Sequence, residues 1–239
     1  MKKYRFVIHV GYPKAASTSL QDALLDSSVL LEQNGFLYPS SLISKGSSKH
    51  EEIFRLVRLN KVDKALALLK IELDSAKDVH TVFLSTESIV NQLYNIDSSL
   101  WVRLFDGIKR FGSLEIVVIH REINGFLTSY YKQAVVNQPS SLVEFYGTSL
   151  TQADFSKLAV VRKLTNLDGV IETLKYVSNA PVKVFDYQQS VVNDVISWLT
   201  NGHFSVDTPK LSNVSLQPEE VELIRQINAA TPSVSERNT

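Results

Sequence analysis

The chain of 239 residues contains no cysteine. This absence excludes disulfide bonds, thiolate catalysis, and the zinc and iron–sulfur sites that depend on cysteine ligands. No histidine or acidic residues show the spacing of a His-Glu-x-x-His motif, so no metal is expected either. The side chains that remain for chemistry carry hydroxyl, amine, guanidinium, imidazole and carboxylate groups.

The sequence also lacks an excess of charge of either sign. Lysine and arginine total 25, as do aspartate and glutamate, so the net charge is zero. Nucleic-acid binding is not expected, because that affinity rests on many cationic contacts with phosphates. A neutral chain can still hold one small anion through a few local groups.

Long apolar runs are missing as well. The run at residues 116–119 is far too short to span a bilayer, so no membrane span is expected. The basic start at residues 2–5 is followed by a short apolar stretch that His9 interrupts, which argues against a signal peptide. We therefore predict a cytoplasmic protein.

The pattern of apolar residues predicts an α/β protein. Short apolar stretches typical of buried strands lie at residues 6–10, 81–85, 114–120 and 182–185. Helical patterns lie at about 17–31, 50–59, 62–76, 98–111, 125–136, 153–177, 191–199 and 218–228. Apolar strands that alternate with helices predict a three-layer fold, with a central, mostly parallel sheet of about five strands flanked by helices. We expect one domain over residues 1–230, a turn-rich loop at 34–48 and a flexible tail at 231–239.

The segment at residues 11–20 follows the first strand and opens directly into a helix. Backbone N–H groups at a helix N-terminus attract anions, and Lys14 adds a cation. Three hydroxyl residues begin the helix: Ser17, Thr18 and Ser19. The segment is not a Walker A loop, because Lys14 precedes Ala15 rather than a serine or threonine. On spacing alone, an ordinary strand-to-helix turn with a hydroxyl N-cap explains the pattern equally well.

A second basic residue follows the strand at 114–120. Arg121 comes directly after this strand, and Ser129 lies eight residues later in the next helix. An arginine and a serine that converge there suit a second phosphate, because the guanidinium offers two parallel hydrogen bonds. The alternative is a surface ion pair between Arg121 and Glu122 beside a helix cap.

Two residues are candidate general bases. Glu87 follows the strand at 81–85, and its alternative role is a carboxylate that favours the dipole of the next helix. His50 begins a helix after the serine-rich loop, where we expect a mobile side chain near a cleft. His9 and His120 lie at strand ends and are predicted to be hydrogen-bonded core histidines.

Four segments, taken in order, resemble the sulfotransferases that use 3′-phosphoadenosine-5′-phosphosulfate (PAPS), and most closely the bacterial, carbohydrate-type branch. They are Gly11-Tyr-Pro-Lys14-Ala-Ala-Ser17-Thr18-Ser-Leu20-Gln21, Leu84-Ser85-Thr86-Glu87, Arg121 with Ser129 and Tyr130, and Asn213-Val-Ser215-Leu216. The first is similar to the family's 5′-phosphosulfate loop and the third to its 3′-phosphate segment. The matches extend from residue 6 to about residue 228.

The resemblance implies a P-loop-like fold and the transfer of a sulfuryl group from PAPS to a hydroxyl of a small-molecule or glycan acceptor, most often a carbohydrate. The product of the donor is 3′,5′-adenosine bisphosphate, and no metal is required. Lys14 would neutralise the leaving 5′-phosphate. The loop residues that would cradle this phosphate are Ala16, Ser17, Thr18 and Ser19. Arg121 and Ser129 would bind the 3′-phosphate, and Glu87 or His50 would take the proton of the acceptor.

The sequence departs from the family pattern at four points, one of which is Ser17 in place of the usual threonine, which keeps the hydroxyl. Ala16 stands where the family has glycine, and Ile123 stands where proline is common. The Arg-Lys-Gly-x-x-Gly segment of the cytosolic branch is missing, which leaves Lys210 as a candidate cation over the 3′-phosphate. Two alternatives stay open: a nucleotide-dependent kinase of related fold, and a non-catalytic binding protein that has kept the fold.

Overall fold

The computed structural model describes residues 3–12, 15–139, 143, 145–206 and 216–231. Its centre is a sheet of five strands: β1 (Tyr4–His9), β2 (Phe36–Leu37), β3 (Thr81–Ser85), β4 (Gly112–His120) and β5 (Val182–Asp186). The strand order is β2-β3-β1-β4-β5 and every pairing is parallel. The prediction of a three-layer α/β fold is confirmed.

Helices fill the connections between strands. They are α1 (Ser17–Asp26), α2 (Ser28–Gln33), α3 (Glu51–Arg58), α4 (Val62–Ser75), α5 (Ser88–Gln92), α6 (Ser98–Lys109), α7 (Ile123–Val136), α8 (Gln152–Phe155), α9 (Ala159–Thr165), α10 (Leu167–Ser178), α11 (Val191–Leu199) and α12 (Pro218–Ala230). No helix in the described part of the chain is long and apolar enough to cross a membrane.

Successive side chains of β1 contact helices on opposite faces of the sheet. The Tyr4 hydroxyl donates to the Leu73 carbonyl of α4 across 3.3 Å. The next residue, Arg5, points the other way: its guanidinium lies 4.7 Å from the ring centroid of Trp198 in α11 and binds Glu115 at 2.7 Å. Successive strand residues face opposite sides, so α4 and α11 lie on different faces of the sheet.

The structure differs from the predicted elements in several places, one of which is α5, a helix that was not predicted. β2 lies inside the segment expected to be a loop, because two residues that pair with Thr81 and Val82 give almost no periodic signal. The predicted helix at 17–31 is interrupted at Ser27, which separates α1 from α2. The predicted helix at 153–177 is three helices, and the Asn166 side chain caps the third by accepting from Gly169 N at 3.1 Å.

The chain divides into two compact units. The first comprises Met1–Arg121 and Asn166–Lys210 and contains the whole sheet. The second comprises Glu122–Thr165 and Leu211–Thr239, and its described residues include α7, α8, α9 and α12. The expectation of one domain over residues 1–230 stays a prediction, and residues 232–239 of the expected tail lie outside the described residues.

Candidate functional site

The carboxyl ends of β1, β3 and β4 lie side by side. His9, the last residue of β1, pairs with Ser85 of β3 and with Val117 of β4. The pairing continues one residue further, since Val10 N donates to the Val117 carbonyl across 3.1 Å. On the other side, Thr86 N donates to the His9 carbonyl across 3.0 Å. The segments after these strands therefore leave the sheet at one edge, which is where parallel sheets bind ligands.

Gly11 brings the loop after β1 against Glu87. Its φ is +60°, and a Cβ at this position would lie 2.6 Å from Glu87 Cα and 2.8 Å from Glu87 Cγ. Both the left-handed backbone and the close approach require glycine here. The candidate anion loop and the candidate general base, which are far apart in sequence, are thus in direct contact.

Helix α1 begins immediately after Ala16, which has φ 58° and ψ 14°. This left-handed conformation costs a residue with a Cβ about 1–2 kcal/mol. The first N–H groups of a helix have no partner within the helix, and the N-cap residue of α1 makes no side-chain capping bond. The start of α1 therefore presents donors to an anion at the sheet edge.

The three predicted hydroxyl residues differ in their surroundings. Ser17 is 2% exposed, and its Oγ has no hydrogen-bond partner among the described residues. Thr18 is exposed and Ser19 is half-buried. An unpaired buried hydroxyl costs about 1–3 kcal/mol, so Ser17 gains most from a bound polar group. Lys14 lies outside the described residues, and its role stays a prediction.

Glu87 is half-buried immediately before α5. The hydrogen bond that caps this helix comes from Thr86, whose Oγ1 accepts from Ser88 N across 3.2 Å, whereas the Glu87 side chain makes no capping bond. Ser88 Oγ in turn donates to Glu51 Oε2 across 2.7 Å. The structure gives the capping role to Thr86 and places Glu87 against Gly11.

His50 directly precedes α3, but the expectation of a mobile side chain near a cleft is wrong. The residue is fully buried, and both ring nitrogens bind backbone atoms: Nδ1 accepts from Ser85 N at 3.0 Å, and Nε2 donates to the Pro39 carbonyl at 3.0 Å. Burial lowers the pKa of His50 to about 4, so the ring is neutral at physiological pH. Its hydrogen bonds join the end of β3 to the segment before α3.

Arg121 lies at the same edge, just past β4. Its guanidinium carbon is 4.9 Å from the ring centroid of Tyr187, the residue that follows β5. Tyr187 N donates to the His120 carbonyl across 2.7 Å, which fixes this aromatic residue beside the end of β4. Tyr187 was not predicted as a site residue, although its position directly after a strand was the available signal.

The partner proposed for Arg121 belongs to the other compact unit. Ser129 is half-buried in α7, which Glu122 caps by accepting from Asn124 N and Gly125 N, both at 2.9 Å. The alternative interpretation of Arg121 was a surface ion pair with Glu122 beside a helix cap, and this cap is present. A shared phosphate site of Arg121 and Ser129 stays a prediction. Lys210 and residues 213–215 lie outside the described residues.

Sequence analysis missed a buried polar chain that joins α1 to the carboxyl ends of β1 and β3. Gln21 Nε2 donates to Ser85 Oγ across 3.0 Å, and Ser85 Oγ lies 2.8 Å from His9 Nδ1. His9 and Ser85 are 0% exposed and Gln21 is 1% exposed. The adjacent placement of two polar residues at the ends of paired strands was the signal that could have revealed it.

A cleft of about 400 Å³ lies at the opposite, amino end of the sheet. Its lining includes Lys3, Arg5, His80 and Thr81. The guanidinium of Arg5 is engaged by Glu115 and by the Leu199 carbonyl, and His80 Nδ1 lies 2.9 Å from Thr81 Oγ1. Arg5, His80 and Thr81 thus already have partners in the protein, so the carboxyl edge is the better candidate site.

No group of three or more metal-ligating side chains is present in the part of the chain that the structure describes. No protein-family model matches the chain, and a search of curated proteins finds no significant match.

Proposed function

We propose that this edge of the sheet binds PAPS and that the protein transfers the sulfuryl group to a hydroxyl, with a carbohydrate as the acceptor class. The observation that carries the proposal is the contact between Gly11 and Glu87, where an added Cβ would lie 2.6 Å from Glu87 Cα. This contact supports the proposal because the loop expected to bind an anion then lies against the residue expected to act as the base. Sulfuryl transfer requires both functions at one point.

The loop supplies the donor side of this proposal. The N–H groups at the start of α1 and the buried Ser17 hydroxyl would hold the 5′-phosphate, with the cation of Lys14 added as the resemblance implies. Ala16 replaces the family's glycine, yet its φ of 58° lies in the region that glycine favours. The backbone at Ala16 therefore keeps the conformation that glycine would adopt at this position. This weighs against the alternative of a protein that has kept the fold but lost the ligand of this loop.

The proposed step is an in-line displacement at sulfur. The acceptor oxygen attacks the sulfur atom, and the bond between sulfur and the 5′-phosphate oxygen breaks. The electron pair of that bond leaves on the phosphate, where the donors of α1 and Lys14 stabilise the charge. The acceptor proton moves to the carboxylate of Glu87. The products are a sulfate ester and 3′,5′-adenosine bisphosphate.

Of the two candidate bases, the geometry favours Glu87. His50 is 0% exposed and both of its ring nitrogens bind backbone atoms, so it has no lone pair to offer an acceptor hydroxyl. Glu87 is half-buried and lies against the loop proposed to bind the donor. We therefore assign the proton transfer to Glu87 and a structural role to His50, whose ring joins the end of β3 to the segment before α3.

Calorimetric titration with 3′,5′-adenosine bisphosphate tests the donor site, with 5′-AMP and ATP as controls. We expect micromolar binding that requires the 3′-phosphate. Arg121→Ala should weaken it about 10- to 100-fold, the effect of losing hydrogen bonds between charged groups. Arg103→Ala is the matched control, because Arg103 is a surface arginine bound to Asp63. Absence of heat from a folded protein would refute the proposal, and ATP turnover that depends on Mg²⁺ would favour a kinase.

A further inference from the structure

The side chains of Gln21, Ser85 and His9 form a buried hydrogen-bonded chain. The Gln21 amide nitrogen donates to Ser85 Oγ across 3.0 Å, and Ser85 Oγ lies 2.8 Å from His9 Nδ1. When the Ser85 hydroxyl donates to Nδ1, the ring proton of the neutral His9 lies on Nε2. Burial lowers the pKa of His9 to about 3, so the ring is neutral at physiological pH.

The Nε2 atom of His9 has no hydrogen-bond partner within the described residues, although the side chain is 0% exposed. Buried polar atoms are almost always paired, and an unpaired one costs about 1–3 kcal/mol. The other ring nitrogen lies 2.8 Å from Ser85 Oγ, and this contact orients the ring.

The location of His9 connects it to the loop. His9 ends β1 and lies two residues before Gly11. Gln21, which orients it through Ser85, lies one helical turn after Ser17 on the buried face of α1. Ser17 Oγ is the second buried polar atom of this region without a described partner. His9, the last residue of β1, and Ser17, the first residue of α1, thus each carry a buried polar atom that has no partner among the described residues.

We propose that His9 is a further binding residue of the anion site: its Nε2–H donates to an oxygen of the 5′-phosphate, and Ser85 and Gln21 are positioning residues that hold it as this tautomer. This inference rests on the proposed function. A neutral donor adds a directional hydrogen bond without adding charge, so it complements the cation of Lys14.

The first test is a long-range ¹H–¹⁵N NMR spectrum of the full chain with and without 3′,5′-adenosine bisphosphate. The unliganded protein should show His9 as the Nε2–H tautomer, and the ligand should shift this resonance. His50 is the internal control, because it is equally buried but already has both nitrogens paired, and its signal should stay in place. A His9 proton on Nδ1, or a His9 signal that does not move when calorimetry shows binding, would overturn the inference and leave the proposed function intact.

The second test compares two replacements of equal polarity. The amide of glutamine in His9→Gln reaches the position of Nε2, whereas the amide of asparagine in His9→Asn reaches only that of Nδ1. We expect His9→Asn to weaken binding of the bisphosphate about tenfold and His9→Gln to stay within about twofold of the original protein.

Adenosine 3′-monophosphate, which lacks the 5′-phosphate, is the control ligand and should bind both variants equally. Equal weakening of the bisphosphate in the two variants would reduce His9 to a structural residue. If one variant does not fold, the NMR experiment on the original chain decides. Absence of any heat with the original protein would remove the proposed function and this inference together.

Discussion

His9 and His50 are both fully buried, both neutral and both in contact with Ser85, yet their rings are paired differently. The ring of His50 binds the backbone of Ser85 through one nitrogen and the Pro39 carbonyl through the other. The ring of His9 binds the Ser85 side chain through one nitrogen and has no described partner for the second. Equal burial thus accompanies two kinds of pairing: the ring of His50 joins two segments of the chain, and the ring of His9 keeps one nitrogen without a partner among the described residues.

The largest expected effect concerns the rate of sulfuryl transfer. If His50 were the general base, the structural role given to its ring above would be wrong. Glu87→Gln should lower the rate about 10²- to 10⁴-fold, the usual contribution of a general base, with unchanged affinity for 3′,5′-adenosine bisphosphate. His50→Gln should keep its rate per folded molecule within about twofold. Transfer of labelled sulfate from PAPS to a panel of oligosaccharides measures both. A slow His50→Gln beside a fast Glu87→Gln would reverse the assignment.

The next effect is on stability. His50→Ala leaves Ser85 N and the Pro39 carbonyl without their partners, and we expect it to lower the free energy of unfolding by about 3 kcal/mol. His9→Ala removes one hydrogen bond together with an unpaired donor, so its cost should be smaller, about 1–2 kcal/mol. Urea unfolding of the two variants measures the difference. Equal losses would show that the pairing of the second nitrogen has no energetic consequence.

The two histidines share a pKa that burial lowers, and this should make the free energy of unfolding depend on pH. Burial lowers the pKa of His9 to about 3 and that of His50 to about 4, from an ordinary value of 6.5. Below pH 6.5 the unfolded chain binds protons that the folded chain does not, so stability falls as the pH drops from 6.5 toward these lower values. Each histidine should contribute about 1.4 kcal/mol per pH unit in this window.

Urea unfolding between pH 6.5 and about pH 4.5 tests this expectation. Replacing either buried histidine by glutamine should reduce the slope by that histidine's share, and the exposed His203→Gln is the matched control. A slope that stays the same in both buried variants would mean that neither ring resists protonation in the folded state.

The pairing of these two rings could not be predicted from the sequence, although much of the fold could. The strand at 81–85 and the helix at 191–199 match β3 and α11 residue for residue, because apolar periodicity reports burial directly. Periodicity carries no information on hydrogen bonds between distant segments. His50 follows a serine-rich loop and was expected to be mobile near a cleft, yet it is fully buried and bound to Ser85 and Pro39.

The contacts within the candidate site could not be predicted from the sequence either. Its residues were found at the ends of predicted strands, because parallel strands end at one edge. The contact of Gly11 with Glu87 and the chain from Gln21 to His9 depend on register between β1 and β3, which the sequence does not encode locally.

The smallest expected effect concerns the backbone conformation near each of the two histidines. The loop beside His9 contains Ala16 at φ 58°, whereas His50 itself has an ordinary φ of −80°. Ala16→Gly removes the left-handed penalty of about 1–2 kcal/mol but adds flexibility to the unfolded chain, so we expect a net stabilisation of about 0.5–1 kcal/mol. Asn179→Gly is the matched control: Asn179 has φ 43°, and asparagine tolerates this region better than alanine, so its gain should be smaller. Thermal unfolding of both variants measures the difference. A destabilised Ala16→Gly would mean that the Cβ of Ala16 makes contacts worth more than the strain, and that this loop is held by packing rather than by its backbone conformation.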